Sequence, residues 1–367
     1  MKKVIFAPDS FKGTLSAQKA CDIWQAAAKR VIPETHCISL PLSDGGEGLV
    51  ETVSSCLGGE KVIVPVNDPL GRRIRAEYLL LPDGRAVIEM AAASGLTLLS
   101  ADERNPTLTS SSGTGELICH AIDSGVSQII LGLGGSATND GGVGAAKAIG
   151  LKLEKPDGIY TGLDASEFRE RIKNVNFITA CDVTNPLCGP LGASAVYGPQ
   201  KGATDEQVRM LDDELLLLAE IFTKDSGKDC ANVPGCGAAG GFILPFLSYG
   251  DVVMCSGIDT VLDILGFDKL LEEAILVLTG EGRTDTQSAM GKVVAGVARR
   301  SRGMGIPVIV LSGSLAPGCD ALYDLGVTAM FSTCTEPTGL DEALKNSQKN
   351  LEQASENLFR MLKEFIM

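Results

Sequence analysis

Residues 274–285 read AILVLTGEGRTD, an uninterrupted apolar run that leads directly into a polar, glycine-containing loop. A short apolar run without polar alternation is typical of a strand that is buried on both faces, as in a parallel sheet. The same pattern occurs at 306–314 (IPVIVLSGS) and at 3–13 (KVIFAPDSFKG). Stretches with helical spacing of apolar residues follow or separate these strands, at 16–32, 291–303 and 319–325. This alternation predicts an α/β fold with parallel strands.

The middle of the chain has a different pattern. Residues 61–91 predict two or three antiparallel strands, because Pro and Gly at 69–71 and 82–84 break the apolar runs into turns. Further elements are predicted as strands at 128–133 and 176–181 and as a helix at 205–224. Thr204 and Gln207 predict a capping box at the start of that helix. The parallel-strand pattern of the two chain ends is not expected in this region.

These differences predict two domains, as the length of 367 residues also favours. Residues 1–60 and 275–367 are predicted to form a doubly wound α/β domain of the Rossmann or flavodoxin type. Residues 61–274 are predicted to form an inserted, mixed α/β domain. The first domain would therefore be discontinuous in sequence.

Composition excludes several classes of function. The net charge of −14 disfavours nucleic acid and anionic membranes as partners, because both attract basic surfaces. The eleven cysteines contain no CxxC pair, which favours reduced, buried thiols over disulfides or zinc. The apolar run at the N-terminus is too short for a signal peptide, and no segment is long and apolar enough to span a bilayer. We expect a cytoplasmic protein.

Polar loops follow the strands of the predicted doubly wound domain. In such a sheet, ligands bind where the chain leaves the carboxyl ends of the strands. The loops are PDSFKG (8–13), SDGGEG (43–48), GEGRTD (280–285) and SGS (312–314). If the strands are parallel, these loops share one edge and bring together carboxylates, a lysine and an arginine.

The inserted region contributes two further candidate sites. The strand at 128–133 runs into GGSATNDGG (134–142) and then a helix, an arrangement that can bind an anion through backbone N–H groups. Its sequence is neither a P-loop nor a dinucleotide fingerprint. Asp182 follows the strand at 176–181 and is a candidate metal ligand or general base.

Each candidate also has a structural interpretation. Glycine clusters more often form turns and close packing than phosphate sites. The carboxylates of Asp9, Asp182 and Asp285 could each cap a helix or close a turn. Lys12 and Lys201 could be solvated side chains.

A series of segments resembles the bacterial glycerate kinases of the glucarate and glyoxylate pathways. The matching segments are APDSFKG (7–13), SDGGEG (43–48), IEMAAASGL (88–96), GTGE (113–116), GGSATNDGG (134–142), ACDVTNPLCGP (180–190), YGPQKGA (197–203), GAAGG (237–241), TGEGRTD (279–285) and GK (291–292). They run in order along nearly the whole chain. The resemblance implies ATP and Mg²⁺ as cofactors, glycerate as acceptor and 2-phosphoglycerate as product. It also implies two α/β domains with a cleft between them, the second interrupting the first.

On this resemblance we predict a substrate site in the terminal-domain loops. Arg283 or Lys12 would pair with the carboxylate of glycerate, because a planar guanidinium can bind both carboxylate oxygens. Asp9 and Ser10 would contact the glycerate hydroxyl groups. Lys12 is also a catalytic candidate.

The same resemblance leads us to predict a nucleotide site in the inserted region. The residues predicted to hold the phosphates of ATP are Gly134, Gly135, Ser136, Thr138 and Asn139. Asp182 is predicted to lie near Mg²⁺ or the acceptor hydroxyl, as metal ligand and first choice for general base. Asp285 is the second choice for the base.

Two other functions compete with phosphoryl transfer. An NAD-dependent hydroxy-acid oxidoreductase shares the α/β style, but this chain lacks a strand-linked GxGxxG, and neither histidine suits catalysis. A non-enzymatic sensor of small acids would have no use for several convergent carboxylates.

Overall fold

A computed structural model describes residues 2–43, 48–156 and 160–365. In chain order the strands are β1 Lys3–Phe6, β2 His36–Ser39, β3 Glu60–Asn67, β4 Arg73–Leu80, β5 Ala86–Glu89, β6 Gln128–Gly132, β7 Lys152–Glu154, β8 Thr161–Asp164, β9 Asn176–Ala180, β10 Asp251–Cys255, β11 Ala274–Thr279, β12 Arg283–Thr284, β13 Val308–Ser312, β14 Ser314–Leu315 and β15 Val327–Ser332. The strands form two larger sheets and two pairs, β12 with β14 and β7 with β8.

The α-helices vary from single turns to a helix of 22 residues. In chain order they are α1 Ala17–Val31, α2 Leu49–Leu57, α3 Ala91–Ser94, α4 Ser112–Asp123, α5 Val143–Ile149, α6 Ser166–Ile172, α7 Ala193–Tyr197, α8 Asp205–Ser226, α9 Leu244–Tyr249, α10 Gly257–Ile264, α11 Phe267–Leu271, α12 Val293–Gly303, α13 Ala321–Leu325, α14 Leu340–Lys345 and α15 Ser347–Phe365. None of these described helices has the length and apolar character needed to cross a membrane.

The chain divides into two compact units. The first unit comprises Met1–Asp44 and Ile258–Met367, and the second comprises Gly45–Gly257. The domain bounds inferred from sequence, at residues 60/61 and 274/275, stay a prediction.

The first unit contains a five-stranded, fully parallel sheet with the order β15-β13-β11-β1-β2. The strand order reverses between β1 and β11, because β2 lies beyond β1 whereas β13 and β15 lie beyond β11. This is the flavodoxin-like arrangement, in which ligands bind at the carboxyl ends of the two strands that flank the reversal. The predicted α/β fold class is confirmed.

Helices cover both faces of this sheet. On one face, α1 and α15 pack over β1, where Phe6 meets Trp24 and Phe359 edge-to-face at ring-centroid distances of 6.0 and 6.1 Å. On the other face, α12 and α13 contribute a smaller apolar cluster that includes Val294 and Leu322. Burial on both faces explains why β11 and β13 are continuous apolar runs.

The C-terminal helix differs from the sequence-based expectation. The helical spacing of the apolar residues after about residue 340 predicts a single amphipathic helix with Leu344, Leu351, Leu358, Leu362 and Phe365 toward the core. Instead α14 ends at Lys345 and α15 begins at Ser347, because Asn346 has left the helical region at φ −96°, ψ 6°. Leu344 and Phe365 are 42% and 83% exposed, so their predicted burial was wrong. The expected core residues Leu351, Leu358 and Leu362 are buried.

The second unit contains a six-stranded mixed sheet with the order β10-β9-β6-β5-β4-β3. Strands β5, β6, β9 and β10 are parallel, while β3 and β4 form the expected antiparallel hairpin. The expectation that this region lacks parallel strands was therefore wrong. The half-exposed edge strand β10 has a mixed sequence, DVVMC, that gives no clear apolar pattern. The predicted capping box of α8 is confirmed, since Thr204 and Gln207 each bond to the other's backbone.

Candidate active site

A pocket of about 320 Å³ lies in the first unit, at the point where the strand order reverses. Its walls come from the segments that follow β1, β11 and β13. These segments are held together by backbone hydrogen bonds. Asp9 N donates to Gly280 O at 2.9 Å, and Gly313 N donates to Glu281 O at 3.0 Å. The pocket is therefore built on the ends of buried strands, which fix its polar residues more firmly than a free loop would.

All the substrate-binding candidates of the terminal loops line this pocket. They are Asp9, Ser10, Lys12 and Arg283, and the base candidate Asp285 lines it as well. Their sequence positions differ by more than 270 residues, but β1 and β11 are neighbours in the sheet. Their roles stay predictions. In the predicted loop SDGGEG (43–48), residues 44–47 lie outside the described part of the chain.

One cation of the pocket, Arg283, is only loosely paired. Arg283 Nε lies 3.8 Å from Asp285 Oδ2, and the Arg283 side chain is 68% exposed. Asp285 Oδ1 accepts the Gln287 N–H at 2.8 Å, so this carboxylate also closes a local turn. Weakly held cations of this kind can turn toward an incoming carboxylate at little cost.

Two further polar residues of the pocket were not among the predicted site residues. Glu281 accepts a hydrogen bond from the Thr284 hydroxyl at 3.2 Å, and its backbone N–H donates to Ser312 Oγ at 3.2 Å. Burial raises the pKa of Glu281, and the nearby charge of Asp9 raises it further. Lys292, which precedes α12, lines the same pocket and donates to Gln287 Oε1 at 3.3 Å. Glu281 and Lys292 lie within the motifs TGEGRTD and GK, and these motifs were the sequence signal by which the two residues could have been identified.

One wall of the pocket is apolar. Leu340, Ala343 and Leu344 of α14 line it, and Leu340 is 74% exposed. The pocket thus combines an apolar surface with a wall of cations and carboxylates. Such a combination suits a small polar organic molecule whose charged end must be oriented.

In the second unit, hydrogen bonds to the side chain of Asp140 hold the loop 134–142 in place. Both carboxylate oxygens of Asp140 accept backbone N–H groups at the start of α5, Oδ1 from Gly142 at 3.1 Å and Oδ2 from Gly144 at 3.2 Å. Asp140 Oδ2 also accepts the N–H and hydroxyl of Ser111, both at 2.8 Å. Burial raises the pKa of Asp140, and these hydrogen bonds oppose the rise. The N–H groups at the amino end of α5 are therefore already bonded to a carboxyl side chain of the chain itself.

The predicted phosphate-binding residues differ in accessibility. Gly134 and Gly135 are exposed, whereas Ser136, Thr138 and Asn139 are buried. We name these residues segment 134–139. A phosphate can thus approach its first two residues, and the others form the support beneath them.

Lys201 has an unexpected environment in the second unit. Its side chain is 2% exposed, and Nζ donates to Ser136 Oγ at 2.9 Å and to the Thr138 carbonyl at 2.7 Å. Burial lowers the pKa of Lys201 to about 7, and the charge of Asp140 opposes this shift. The lysine is therefore a support for segment 134–139 and not the solvated side chain that its sequence allowed.

Asp182 follows β9, as expected, and is exposed. Its Oδ1 accepts the N–H of Gly257 at 2.7 Å, at the first residue of α10. This contact gives the carboxylate a structural task in addition to any chemical one. Its predicted roles as base and metal ligand stay predictions.

Comparisons with known proteins connect these sites to a family. The model of the family described as "Glycerate kinase family" matches residues 4–363, which is nearly the whole chain. The chain belongs to the glycerate kinase family.

Relatives of the glycerate kinase family match over similar lengths. A glycerate kinase of Halalkalibacterium halodurans is 44% identical over 98% of this chain and 97% of its own length. The glycerate 2-kinase of Escherichia coli K12 is 40% identical over 97% of both chains. The resemblance that the motifs indicated is confirmed.

A solved structure of the glycerate kinase family also matches. The crystal structure of a protein assigned as glycerate kinase 2 from Salmonella typhimurium LT2 has a TM-score of 0.88 and 40% sequence identity. The match covers 99% of this chain and 98% of that chain. The structural similarity therefore extends over nearly the whole chain.

Proposed function

We propose that this chain transfers a phosphoryl group from ATP to a hydroxyl of glycerate, giving 2-phosphoglycerate and ADP. The observation that carries the proposal is the pocket of the first unit. It places Lys12, Arg283 and Lys292 beside Asp9, Glu281 and Asp285 at the reversal point of a doubly wound sheet. A hydroxy acid offers a carboxylate for the cations and hydroxyl donors for the carboxylates. Membership of the glycerate kinase family supports this choice of acid.

The acid would be held by its carboxylate. Arg283 is the first candidate, because its guanidinium can donate two parallel hydrogen bonds to one carboxylate. Lys12 and Lys292 would add point charges that attract the acid and later the developing phosphate ester. Asp9 and Ser10 would accept from or donate to the glycerate hydroxyls and so select which hydroxyl faces the donor.

A carboxylate would remove the proton of the attacking hydroxyl. Asp182 is the sequence-based first choice and Asp285 the second. Glu281 is a third candidate because its raised pKa brings it nearer to the operating pH, where general bases are most effective. The proton would pass to the carboxylate as the oxygen–phosphorus bond forms and the bond to ADP breaks.

Segment 134–139 would contact the phosphates of ATP. Its exposed Gly134 and Gly135 let a phosphate approach the backbone closely, because neither residue has a side chain in the way. The interaction would not use the amino end of α5, since Asp140 already accepts those N–H groups. Ser136, Thr138 and Asn139 would act mainly by holding the segment in shape.

A magnesium ion would be shared between the chain and the nucleotide. In these parts of the chain, no three His, Cys, Asp or Glu side chains form a cluster that could hold a metal ion. Mg²⁺ in phosphoryl-transfer enzymes often uses only one or two carboxylates and takes its other ligands from phosphates and water. Asp182 is the predicted ligand, and Asp9 with Glu281 is an alternative pair. The ion would neutralise charge on the phosphates.

The test is an ADP-release assay of the purified chain against a panel of hydroxy acids, with and without Mg²⁺. We expect release that depends on glycerate and on Mg²⁺, and a phosphorus-31 NMR spectrum of the product that matches 2-phosphoglycerate. A 3-phosphoglycerate spectrum would overturn the proposed regiochemistry. Absence of glycerate-dependent ADP release would overturn the function, and reduction of NAD⁺ with a hydroxy acid would support the oxidoreductase alternative.

A further inference from the structure

The second unit buries the ammonium group of Lys201 with two neutral hydrogen-bond acceptors, and the charge of Asp140 acts on it without a hydrogen bond between them. Moving an ammonium group out of water costs several kcal/mol of folding free energy, and proteins normally offset this cost with a bonded carboxylate. Among the described residues, the hydrogen-bond acceptors of Lys201 Nζ are a hydroxyl and a carbonyl, both neutral. Buried titratable groups with strongly perturbed environments cluster at functional sites.

Both acceptors belong to segment 134–139. Lys201 therefore fixes the hydroxyl of Ser136 and, two residues later, the carbonyl of Thr138. A second contact fixes the same segment from another side, since Asn139 Nδ2 donates to Ser194 Oγ at 3.0 Å. The segment is thus held by long-range contacts and not by its local sequence alone.

The segment also contains buried polar atoms without partners. Within the described chain, Thr138 Oγ1 makes no hydrogen bond and Asn139 Oδ1 accepts none, although both atoms are buried. Unpaired buried polar groups are rare in native proteins, and they cluster where a conformation is kept for a purpose other than stability. These unpaired atoms are an observation separate from the contacts of Lys201, and they lie in the same segment.

The position of Lys201 is itself enforced by the backbone. Lys201 ends the short helical turn Pro199–Lys201, and the next residue, Gly202, has φ +94°. A Cβ at Gly202 would lie 2.1 Å from the carbonyl oxygen of Arg104. Only glycine fits there, so the turn holds the lysine stem in one direction.

We propose that Lys201 is a positioning residue that holds segment 134–139 in the conformation that contacts the phosphates of the donor nucleotide. It acts through Ser136 and the Thr138 carbonyl and does not itself touch the nucleotide. This inference rests on the proposed function, because it assigns the nucleotide to that segment.

The test compares Lys201→Met with Lys147→Met, a matched change at an exposed lysine of α5 in the same unit. ATP affinity is measured by calorimetry with Mg²⁺, and steady-state kinetics give KM for each substrate. We expect K201M to weaken ATP binding by about ten- to a hundredfold, as when a supporting group lets a binding group shift. KM for glycerate should stay within about twofold, and K147M should match the wild type.

A double variant tests whether Lys201 acts through Ser136. If it does, S136A combined with K201M should bind ATP about as weakly as K201M alone, because both changes remove one shared interaction. Thermal unfolding of each variant shows whether the fold is kept. Unchanged ATP affinity in a folded K201M variant overturns the inference. The inference is also overturned if K201M weakens the binding of ATP and glycerate equally and is less stable to heat.

The two proposals fail in distinguishable ways. Wild-type chain that binds ATP but releases no ADP with glycerate overturns the proposed acceptor and leaves the calorimetric comparison of K201M intact. Wild-type chain that phosphorylates glycerate while K201M keeps its ATP affinity overturns only the role of Lys201.

Discussion

The pocket of the first unit and segment 134–139 of the second unit are both rich in predicted site residues, but they are built in opposite ways. In the pocket, cations and carboxylates line an open volume, and Arg283 lies 3.8 Å from Asp285, a loose pairing. Next to the segment, Asp140 is part-buried and Lys201 is buried, and their hydrogen bonds go to the chain itself. The first region can recognise a ligand through side chains. The second can do so only through the backbone that these two charged groups hold in place.

This contrast makes different substitutions damaging in the two regions. In the pocket, a change should alter affinity or turnover and leave the fold intact. Around the segment, a change should alter shape or stability first. Substitutions in each region can therefore test the contrast.

Asp182→Asn and Asp285→Asn separate the two sequence-based candidates for the general base. Loss of the base should lower kcat by about 10²–10⁴-fold, and we expect the larger loss in D182N. The amide oxygen of the new side chain in D182N can still accept the Gly257 N–H, so the fold should be kept. The measurement is kcat with saturating ATP and glycerate. Near-normal kcat in a folded D182N variant would remove Asp182 from the chemistry, and a large loss in D285N alone would transfer the role to the pocket.

Gly142→Ala tests how tightly the second region is packed. Gly142 has φ +69° and ψ 7°, and a Cβ there would lie 2.0 Å from the carbonyl oxygen of Phe242. We expect a loss of about 4 kcal/mol or more in the free energy of unfolding, measured by urea denaturation. Gly227→Ala is the matched control, because Gly227 has a similar φ of +75° and ψ of 6° with no atom within 4 Å of the added Cβ. It should lose only the ~1 kcal/mol of left-handed strain. Equal losses would show that packing at Gly142 is not the cause.

Arg283→Met tests recognition by side chains in the pocket. A hydrogen-bonded charge pair contributes about 1.5–3 kcal/mol, so KM for glycerate should rise by about ten- to a hundredfold. The melting temperature should not change, because the side chain is 68% exposed. Arg360→Met, at an exposed arginine of α15, is the control and should leave KM unaltered. A raised KM for ATP with an unchanged KM for glycerate would place the nucleotide, not the acid, at Arg283.

The pH dependence of stability tests the buried lysine. The folded-state pKa of about 7 lies below the unfolded value of about 10.4, so the unfolded chain binds more protons between these limits. Below pH 7 the burial of charged Lys201 lowers the free energy of unfolding by its full amount. This destabilisation decreases as the pH rises from the folded pKa toward the unfolded pKa. Between pH 7 and 9 the wild type should gain about 2 kcal/mol of unfolding free energy relative to K201M.

Urea denaturation of both proteins at the two pH values gives this difference directly. Comparing the two chains removes the contribution of the buried thiols, such as Cys188, whose pKa values are raised by burial and which shift stability the other way. A parallel pH dependence in wild type and K201M would show that Lys201 does not titrate with a lowered pKa.

Much of the fold could be predicted because its signals are local. The runs at β11 and β13 are apolar over their whole length, and Thr204 with Gln207 fixes the start of α8 within four residues. The pocket residues could be predicted for the same reason, since each follows a recognisable strand. Their convergence needed only the rule that parallel strands share an edge.

The remaining features depend on partners that are distant in sequence. The burial of Lys201 results from contacts with residues 63 and 65 positions away, and Asp140 meets Ser111 across 29 positions. No local sequence pattern around Lys201 or Asp140 predicts these long-range contacts. The parallel pairing of β10 with β9 was missed because an edge strand need not be continuously apolar. Sequence therefore located the candidate residues better than it located what supports them.

The pairing of β1 with β11 has a consequence for biosynthesis. Lys3 lies opposite Ala274 and Val4 opposite Leu276, so the central pair of the first sheet joins segments about 270 positions apart. On a ribosome, the N-terminal strand must wait for its neighbour β11 and for α15 until most of the chain has emerged, whereas the second unit is continuous and can form earlier. Such non-local pairing slows folding. Chains truncated before residue 274 would thus leave β1 without its central neighbour and present an edge on which aggregation can begin.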